Sequence, residues 1–274
     1  MNDDGDNSGT LKGWMGASAP RISNEGLVGQ ALAFDAAGGY VEVESSPLQG
    51  DGAFSITTWF KAGTSTEDTV LIQQRMCFDR QSNNACSDAT GYDGSYKLLL
   101  TAAGTLKGMT AHKVGNTTRT WELNSSNAES LRDNQWHHVA FLQSASTAVI
   151  YIDGRDPSEI TIQQPVLLNG SLTTYIGGDL RDLDKFFIGS LDEMTIWTRN
   201  LAAIEIETMF HRGSMGRASV PTQDERAAVL TADRFCGGAG DDTCEFHQVC
   251  TYSEQTGRST CESRQDCGDA PCTA

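Results

Sequence analysis

The sequence predicts an all-β protein, a two-sheet antiparallel sandwich with a short C-terminal helix and a small disulfide-rich tail. Three observations predict it: short runs of β-branched and aromatic residues from Gly26 to Ile196, glycine-rich turns between them, and cysteines concentrated near the C-terminus. Many short strands at such spacing are typical of a sandwich or a barrel. The 28 glycines against 6 prolines favour tight turns over a proline-rich disordered chain.

The predicted strands follow one another along the sandwich. They cover residues 30–34, 40–43, 54–60, 70–72, 96–100, 106–112, 136–142, 148–152, 175–178 and 186–197. Asp153-Gly154 predicts a tight turn after the strand at 148–152. In the strand that begins at Trp136, apolar residues occupy both alternating sets of positions, which predicts a central strand covered on both faces.

After Asn200 the apolar residues recur at a helical period. Residues 201–210 are predicted to form a short helix, with Asn200 as its N-cap and Gly213 as its stop. A second helical stretch is predicted at 224–230. The predicted organisation is a polar N-terminal segment at 1–10, a sandwich at 11–215, and a helical linker with a cysteine-rich tail at 216–274.

The cysteines predict disulfide bonds. They are Cys77, Cys86, Cys236, Cys244, Cys250, Cys261, Cys267 and Cys272. An even number of cysteines, most of them in a short tail with little core, is typical of an oxidising compartment. A zinc site in the tail is the alternative, but no Cys-x-x-Cys pair occurs and His247 is the only histidine there. The six tail cysteines allow many pairings, which the sequence does not distinguish.

The chain is strongly acidic, with a formal net charge of −16 and a pI near 4.6. This charge argues against nucleic acid and anionic membranes as partners, because both attract lysine and arginine. Acidic loops suit Ca²⁺, which prefers oxygen ligands. An acidic surface that maintains solubility is the alternative interpretation.

No apolar run reaches the roughly 20 residues of a membrane helix, so no membrane insertion is expected. The first six residues, MNDDGD, are the opposite of a signal peptide's basic and then apolar profile. The chain is therefore either cytosolic or a piece of a longer precursor. Because the cysteines favour oxidation, we expect a secreted or cell-surface protein that is part of a larger secreted protein.

Five elements in order resemble the laminin G-like domains of the concanavalin A-like lectin/glucanase superfamily. They are Gly29–Asp35 with Tyr40–Val43, Phe54–Lys61, Trp136–Ala140, Tyr151–Gly154 and Ile188–Trp197, and Leu201–Glu205 resembles the family's closing helix. The resemblance covers roughly residues 11–210 and implies a jelly roll of two curved antiparallel sheets.

The resemblance also implies a structural calcium ion. Carried over to this sequence, its ligands are the carboxylates of Asp35 and Asp192 and backbone carbonyls at Gly38 and Gly39. The alternative is that Asp35 makes a turn hydrogen bond, whereas the Asp192-Glu193 pair meets Arg199 or a backbone amide.

The segment from 75 to 96, RMCFDRQSNNACSDATGYDGSY, is a long polar insertion between two predicted strands. Long loops in compact domains are usually functional or disordered, and a disulfide between Cys77 and Cys86 is expected to hold this one. Its amides, carboxylates and aromatic ring suit sugar hydroxyls and sugar rings. The predicted ligand-binding residues are Asp79, Arg80, Asn83, Asn84, Asp88, Tyr92 and Asp93, with Trp121 outside the loop. A calcium loop using Asp88 and Asp93, or a purely structural surface loop, is the alternative.

Catalytic signatures are absent from the sequence. A glucanase on this fold would carry Glu-x-Asp-x-x-Glu along one strand, whereas Asp192 and Glu193 are adjacent and so face opposite sides. His137 and His138 are predicted to face opposite sides for the same reason. The predicted function is a non-catalytic module that binds glycans or mediates adhesion. A protein-binding adhesion module and a polysaccharide-degrading enzyme are the alternatives.

Overall fold

The structure is a computed structural model of the chain. It describes residues 9–35, 38–44, 46, 48–50, 52–74, 95–114, 117–162, 168, 172–178, 185–218, 248–253 and 258–263. The chain divides into two compact units, Met1–Ser219 and Val220–Ala274. Within the described ranges, no helix is long and apolar enough to cross a membrane.

Sheet I contains seven antiparallel strands. From one edge to the other they are β1 (Thr10–Gly13), β4 (Gly39–Val43), β13 (Thr174–Ile176), β6 (Thr69–Gln74), β7 (Ser95–Leu100), β8 (Leu106–Val114) and β9 (Thr117–Asn124). A short 3₁₀ turn at Trp14–Gly16 follows β1.

Sheet II also contains seven antiparallel strands. In spatial order they are β12 (Arg155–Thr161), β11 (Thr147–Ile152), β10 (Trp136–Gln143), β5 (Phe54–Lys61), β14 (Gly189–Trp197), β3 (Ala31–Phe34) and β2 (Arg21–Ser23). The predicted two-sheet antiparallel sandwich is therefore confirmed.

The main core lies between the two sheets. Its largest fully buried members include Phe34, Phe54, Phe60, Tyr96, Phe141 and Phe187. On the central strand β10, Val139 and Phe141 face this core, whereas Ala140 and Leu142 belong to a second cluster on the other side. The prediction that both faces of this strand are covered is confirmed.

A single described α-helix, α1 (Ala203–Ser214), covers the outer face of sheet II. Its buried Ile206 and Met209 pack against Ala140 and Leu142 of β10. The predicted N-cap was wrong: the cap is Ala202, whose amide donates to the Glu205 carboxylate at 2.8 Å.

The predicted stop of this helix at Gly213 was also wrong. The glycine lies inside α1, where a Cβ would come within 2.4 Å of the Trp59 indole nitrogen. The fold therefore requires glycine here for close packing and not for a turn. The absence of a side chain lets the helix approach Trp59 closely.

The second unit contains one described hairpin, β15 (Gln248–Ser253) paired antiparallel with β16 (Arg258–Ser263). The predicted helix at 224–230 lies outside the described residues, as do Cys77, Cys86, Cys236, Cys244, Cys267 and Cys272. The predicted domain boundaries and disulfide bonds therefore stay predictions.

Candidate functional site

The two sheets differ in what covers their outer faces. The outer face of sheet II is covered by α1, so that Ala140 and Leu142 are buried there. On the outer face of sheet I, Tyr175, Lys97 and Met109 remain partly exposed. Among the described residues, part of the strand surface of sheet I is therefore exposed to solvent.

The register of sheet I defines which residues share this face. Ile72 and Leu98 are directly paired and both belong to the core, so residues one position along the strands face outward. The outward row runs across six strands. It consists of Glu42, Tyr175, Gln73, Lys97, Met109 and Glu122. We refer to this row and its neighbours as the outer face of sheet I.

Four aromatic side chains form a cluster at one side of this face. Tyr40 and Phe186 are buried, and Trp14 and Tyr175 pack against them. The rings of Tyr40 and Tyr175 meet edge to face, with centroids 6.0 Å apart. Because its inner members are buried, the cluster holds the partly exposed rings of Trp14 and Tyr175 in fixed positions.

Polar groups continue the face beyond the aromatic cluster. The Gln73 side chain is 1% exposed and donates from Nε2 to the Gly178 carbonyl at 3.1 Å. Lys12 forms an ion pair with Glu42, and Lys107 pairs with Glu122 at 3.1 Å. Fixed rings beside charged groups suit the apolar face and the hydroxyls of a sugar.

The predicted calcium ligands lie apart in the structure. On paired strands, Phe34 is opposite Gly189 and Leu32 is opposite Leu191. Asp35 and Asp192 are therefore separated by about four register positions, or roughly 13 Å along the sheet. One calcium ion, with ligand distances of about 2.4 Å, is not held by two carboxylates placed this way.

Each predicted ligand also has a protein partner. Asp35 accepts from the Arg21 guanidinium at 2.5 Å. The buried Asp192 carboxylate accepts from the amides of Val28 (2.9 Å) and Glu193 (2.8 Å), and burial raises its pKa. Asp192 therefore meets backbone amides, which was one of the alternatives to a calcium site. Arg199 forms an ion pair with Glu205 instead.

The predicted backbone ligands are occupied in a similar way. The Gly38 carbonyl accepts from the Trp14 amide at 2.8 Å, and Gly39 pairs with Gly13 in the ladder of sheet I. Across the described ranges, no group of three or more His, Cys, Asp or Glu side chains could hold a metal ion. The residues do not fit the predicted calcium site, and calcium binding itself stays a prediction.

Trp121 was predicted as a ligand-binding residue outside the loop, and the structure places its side chain against the core. It lies on β9 two residues from the buried Leu123, so both face the core. Its ring contacts Phe141 of sheet II at a centroid distance of 6.0 Å. The other predicted ligand-binding residues, Asp79 to Asp93, lie outside the described residues.

The two adjacent histidines face opposite sides, as predicted. His138 is buried beneath α1 beside Trp59, whereas His137 lies next to Phe60 of the core. The His137 ring bridges two carboxylates, Asp153 at 2.9 Å and Asp133 at 3.1 Å. The hydrogen bond to Asp153 raises the pKa of His137. This cluster joins the start of β10 to the β11–β12 turn.

Comparison with known protein families now places the sandwich. Residues 35–207 match the family described as the concanavalin A-like lectin/glucanases superfamily. The chain belongs to this superfamily. No curated protein sequence matches the chain.

Several solved structures share this concanavalin A-like fold. The binding domain of Paraclostridial Mosquitocidal Protein 1 is 15% identical with a TM-score of 0.53, over 74% of this chain and 47% of that one. The botulinum neurotoxin serotype G binding domain is 13% identical with a TM-score of 0.54, over 76% and 47%. The receptor binding domain of botulinum neurotoxin mosaic serotype C/D is 13% identical with a TM-score of 0.51, over 74% and 45%. The chain thus spans about half the length of these structures, and the similarity shows the fold.

Sequence reasoning did not find the outer face of this concanavalin A-like sandwich. A usable signal was present in β6, β7 and β8, where Gln73, Lys97 and Met109 alternate with core residues. Only the pairing of the strands places the three side chains side by side. Because alternation within one strand does not reveal its neighbours, the face became visible only in the structure.

Proposed function

We propose that the chain is a non-catalytic glycan-binding module whose ligand lies across the outer face of sheet I. The observation that carries this proposal is the aromatic cluster at Trp14 and Tyr175 on the same face as the partly exposed Lys97. Secretion or display at the cell surface, within a larger protein, is part of the same proposal.

The physical reason is complementarity to a sugar ring. The C–H face of a sugar packs on an aromatic ring, while its hydroxyls need both donors and acceptors. Tyr175 offers a ring held against Tyr40, and Lys97 of the same outward row carries an ammonium group. These side chains stand on paired strands, so the arrangement is rigid before the ligand binds.

The similarity of the fold to toxin binding domains supports a binding role. The similar structures are described as binding domains, although a shared fold does not by itself settle function. The buried carboxylate Asp192 accepts amide hydrogen bonds rather than facing a second carboxylate, which favours a binding module over a glycosidase.

Replacing Tyr175 with alanine is expected to weaken glycan binding about tenfold or more, because the variant loses a fixed ring contact. A glycan array identifies the ligand, and calorimetry then compares the wild-type protein with the variant. Each measurement is made with calcium and with a chelator, which also tests the calcium prediction.

Two control variants accompany this measurement. Tyr175→Phe keeps the ring and should retain most of the affinity. Ile204→Ala changes a residue that is 45% exposed on α1 and should leave binding unchanged. The proposal fails if no glycan binds in either buffer; binding of extracellular proteins instead would identify a protein-adhesion module. Unaltered affinity in Tyr175→Ala would move the site away from sheet I.

A further inference from the structure

The turn that follows β1 carries an unusual residue at its first central position. Residues Trp14 to Ala17 close this turn with a hydrogen bond from the Ala17 amide to the Trp14 carbonyl at 2.8 Å. The bond has the spacing of a 3₁₀ turn, but the two central residues, Met15 and Gly16, have φ angles of 47° and 90°. Positive φ at both positions defines a type I′ turn, which favours asparagine, aspartate or glycine at the first of them. The backbone geometry therefore does not account for a methionine there.

The methionine is held in a strained conformation. Its φ of 47° and ψ of 37° lie in the left-handed region, where the Cβ atom of an ordinary side chain crowds the backbone. The turn is fixed on both sides. The Trp14 amide donates to the Gly38 carbonyl at 2.8 Å, and at Gly13 a Cβ would overlap the Ala17 carbonyl oxygen. The surrounding structure thus imposes on Met15 a conformation that its side chain disfavours.

The Met15 side chain contacts little of its own chain in return. It is 88% exposed, the largest fraction among the large hydrophobic residues that the structure describes. It also belongs to none of the three described hydrophobic clusters. An exposed side chain of this kind buries no apolar surface, so it does not offset the strain of the turn. A strained and exposed methionine points to a contact with another molecule.

Met15 adjoins the aromatic cluster of the proposed glycan surface. Trp14 directly precedes it and packs with Tyr40, Phe186 and Tyr175 in that cluster. Consecutive Cα atoms lie about 3.8 Å apart, so a ligand on the Trp14 ring is within reach of the long Met15 side chain. Methionine is unbranched and polarizable, and its side chain adapts to irregular apolar surfaces. The C–H groups of a sugar ring offer such a surface.

We propose that Met15 is a glycan-contacting residue, whose thioether side chain packs on the sugar unit next to the one on Trp14. The assignment rests on the proposed glycan-binding function and extends its surface beyond the aromatic cluster. The strain of the turn lowers the stability of the free protein, and the contact is made only in the complex. The type I′ turn holds the side chain at the edge of the surface before the glycan arrives.

Met15→Asn separates the two effects of this residue. Asparagine tolerates the left-handed conformation, so the variant should raise the melting temperature by about 2–6 °C. It loses the apolar contact, so glycan affinity should fall about three- to tenfold. Met15→Leu keeps an apolar side chain in the same conformation and should retain most of the affinity. Met215→Asn changes another exposed methionine, at the end of α1, and should leave glycan affinity unchanged.

The probe for affinity is the glycan array, titrated with labelled wild-type protein and with each variant, so that apparent Kd values are compared glycan by glycan. Methyl NMR of protein labelled with ¹³C at its seven methionines provides a direct readout of contact. The oligosaccharide with the strongest array signal should shift the Met15 methyl resonance, which is identified by its loss in Met15→Asn. The Met215 resonance should stay in place.

The outcomes distinguish this assignment from the proposed function. Weakened binding in Tyr175→Ala together with unchanged affinity in Met15→Asn would overturn the role of Met15 and leave the glycan surface standing. A lower melting temperature in Met15→Asn would also overturn it, because the methionine would then contribute to folding. An array without signal for the wild-type protein would overturn both proposals.

Discussion

Replacing Arg132 with methionine is expected to lower the free energy of unfolding by about 3–5 kcal/mol. Arg132 is only 5% exposed, and its guanidinium donates to backbone and side-chain oxygens at two connections, β5–β6 and β7–β8. The acceptors are Thr101 O (2.8 Å), Gly63 O (3.2 Å), Glu67 O (3.2 Å), Thr69 Oγ1 (2.9 Å) and Leu100 O (3.0 Å).

The large effect follows from what the substitution leaves behind. The acceptors lie at the β5–β6 and β7–β8 connections, and Arg132 itself lies between β9 and β10, so that one side chain joins three connections. Methionine fills much of the volume but donates no hydrogen bond. The buried carbonyls then lack partners, and each such group costs about 1–3 kcal/mol.

Urea denaturation of the wild-type protein and the Arg132→Met variant measures the difference. Arg132→Lys should recover little of the loss, because one ammonium group cannot reach acceptors that the planar guanidinium spans. Arg155→Met, at an exposed position, is the matched control and should change stability by less than about 0.5 kcal/mol. A loss below about 1 kcal/mol in Arg132→Met would show that water replaces the guanidinium.

The sequence was most informative where strands are buried. β5 and β10 were predicted because runs of β-branched, aromatic and apolar residues identify strands that are covered on both faces. The edge strands β2 and β12 were missed, since an edge strand needs no continuous apolar pattern. Pro157 within β12 removes a backbone donor, which is tolerated at an edge and hides the strand from a sequence reading.

Site predictions failed where they depended on strand pairing. The strands that carry or precede Asp35 and Asp192 were predicted correctly. The offset between β3 and β14, which separates the two carboxylates, cannot be deduced from either strand alone. Trp121 illustrates a signal that was available: its spacing of two residues from Leu123 places both on one face. The same rule correctly separated His137 from His138.

Acidification is expected to destabilise the sandwich through His138, which lies between sheet II and α1. The ring is 1% exposed, and neither of its nitrogens has a hydrogen-bond partner among the described residues. Trp59 lies beside it at 5.3 Å, and Phe210 of α1 stacks on Trp59 at 5.4 Å. Burial lowers the pKa of His138 from 6.5 to about 4, although the charge of Asp153 opposes this shift.

The direction of the pH effect follows from proton binding. Above pH 6.5 the histidine is neutral in both states, so it contributes no pH dependence. Between pH 6.5 and about 4, the unfolded chain binds a proton that the folded protein excludes, and stability falls with pH. The accumulated loss is about 3 kcal/mol, since one pKa unit corresponds to about 1.4 kcal/mol.

Denaturation of wild-type protein and His138→Leu at pH 7 and pH 4.5 isolates this contribution. The variant should lose less stability on acidification, by about 2–3 kcal/mol, and should be at least as stable as wild type at pH 7 because two unpartnered nitrogens are removed. His137, whose raised pKa favours the folded state in acid, is present in both proteins and cancels in the comparison. Equal acid sensitivity would mean that His138 gains a proton acceptor as α1 loosens, so that the helix rather than the histidine sets the response.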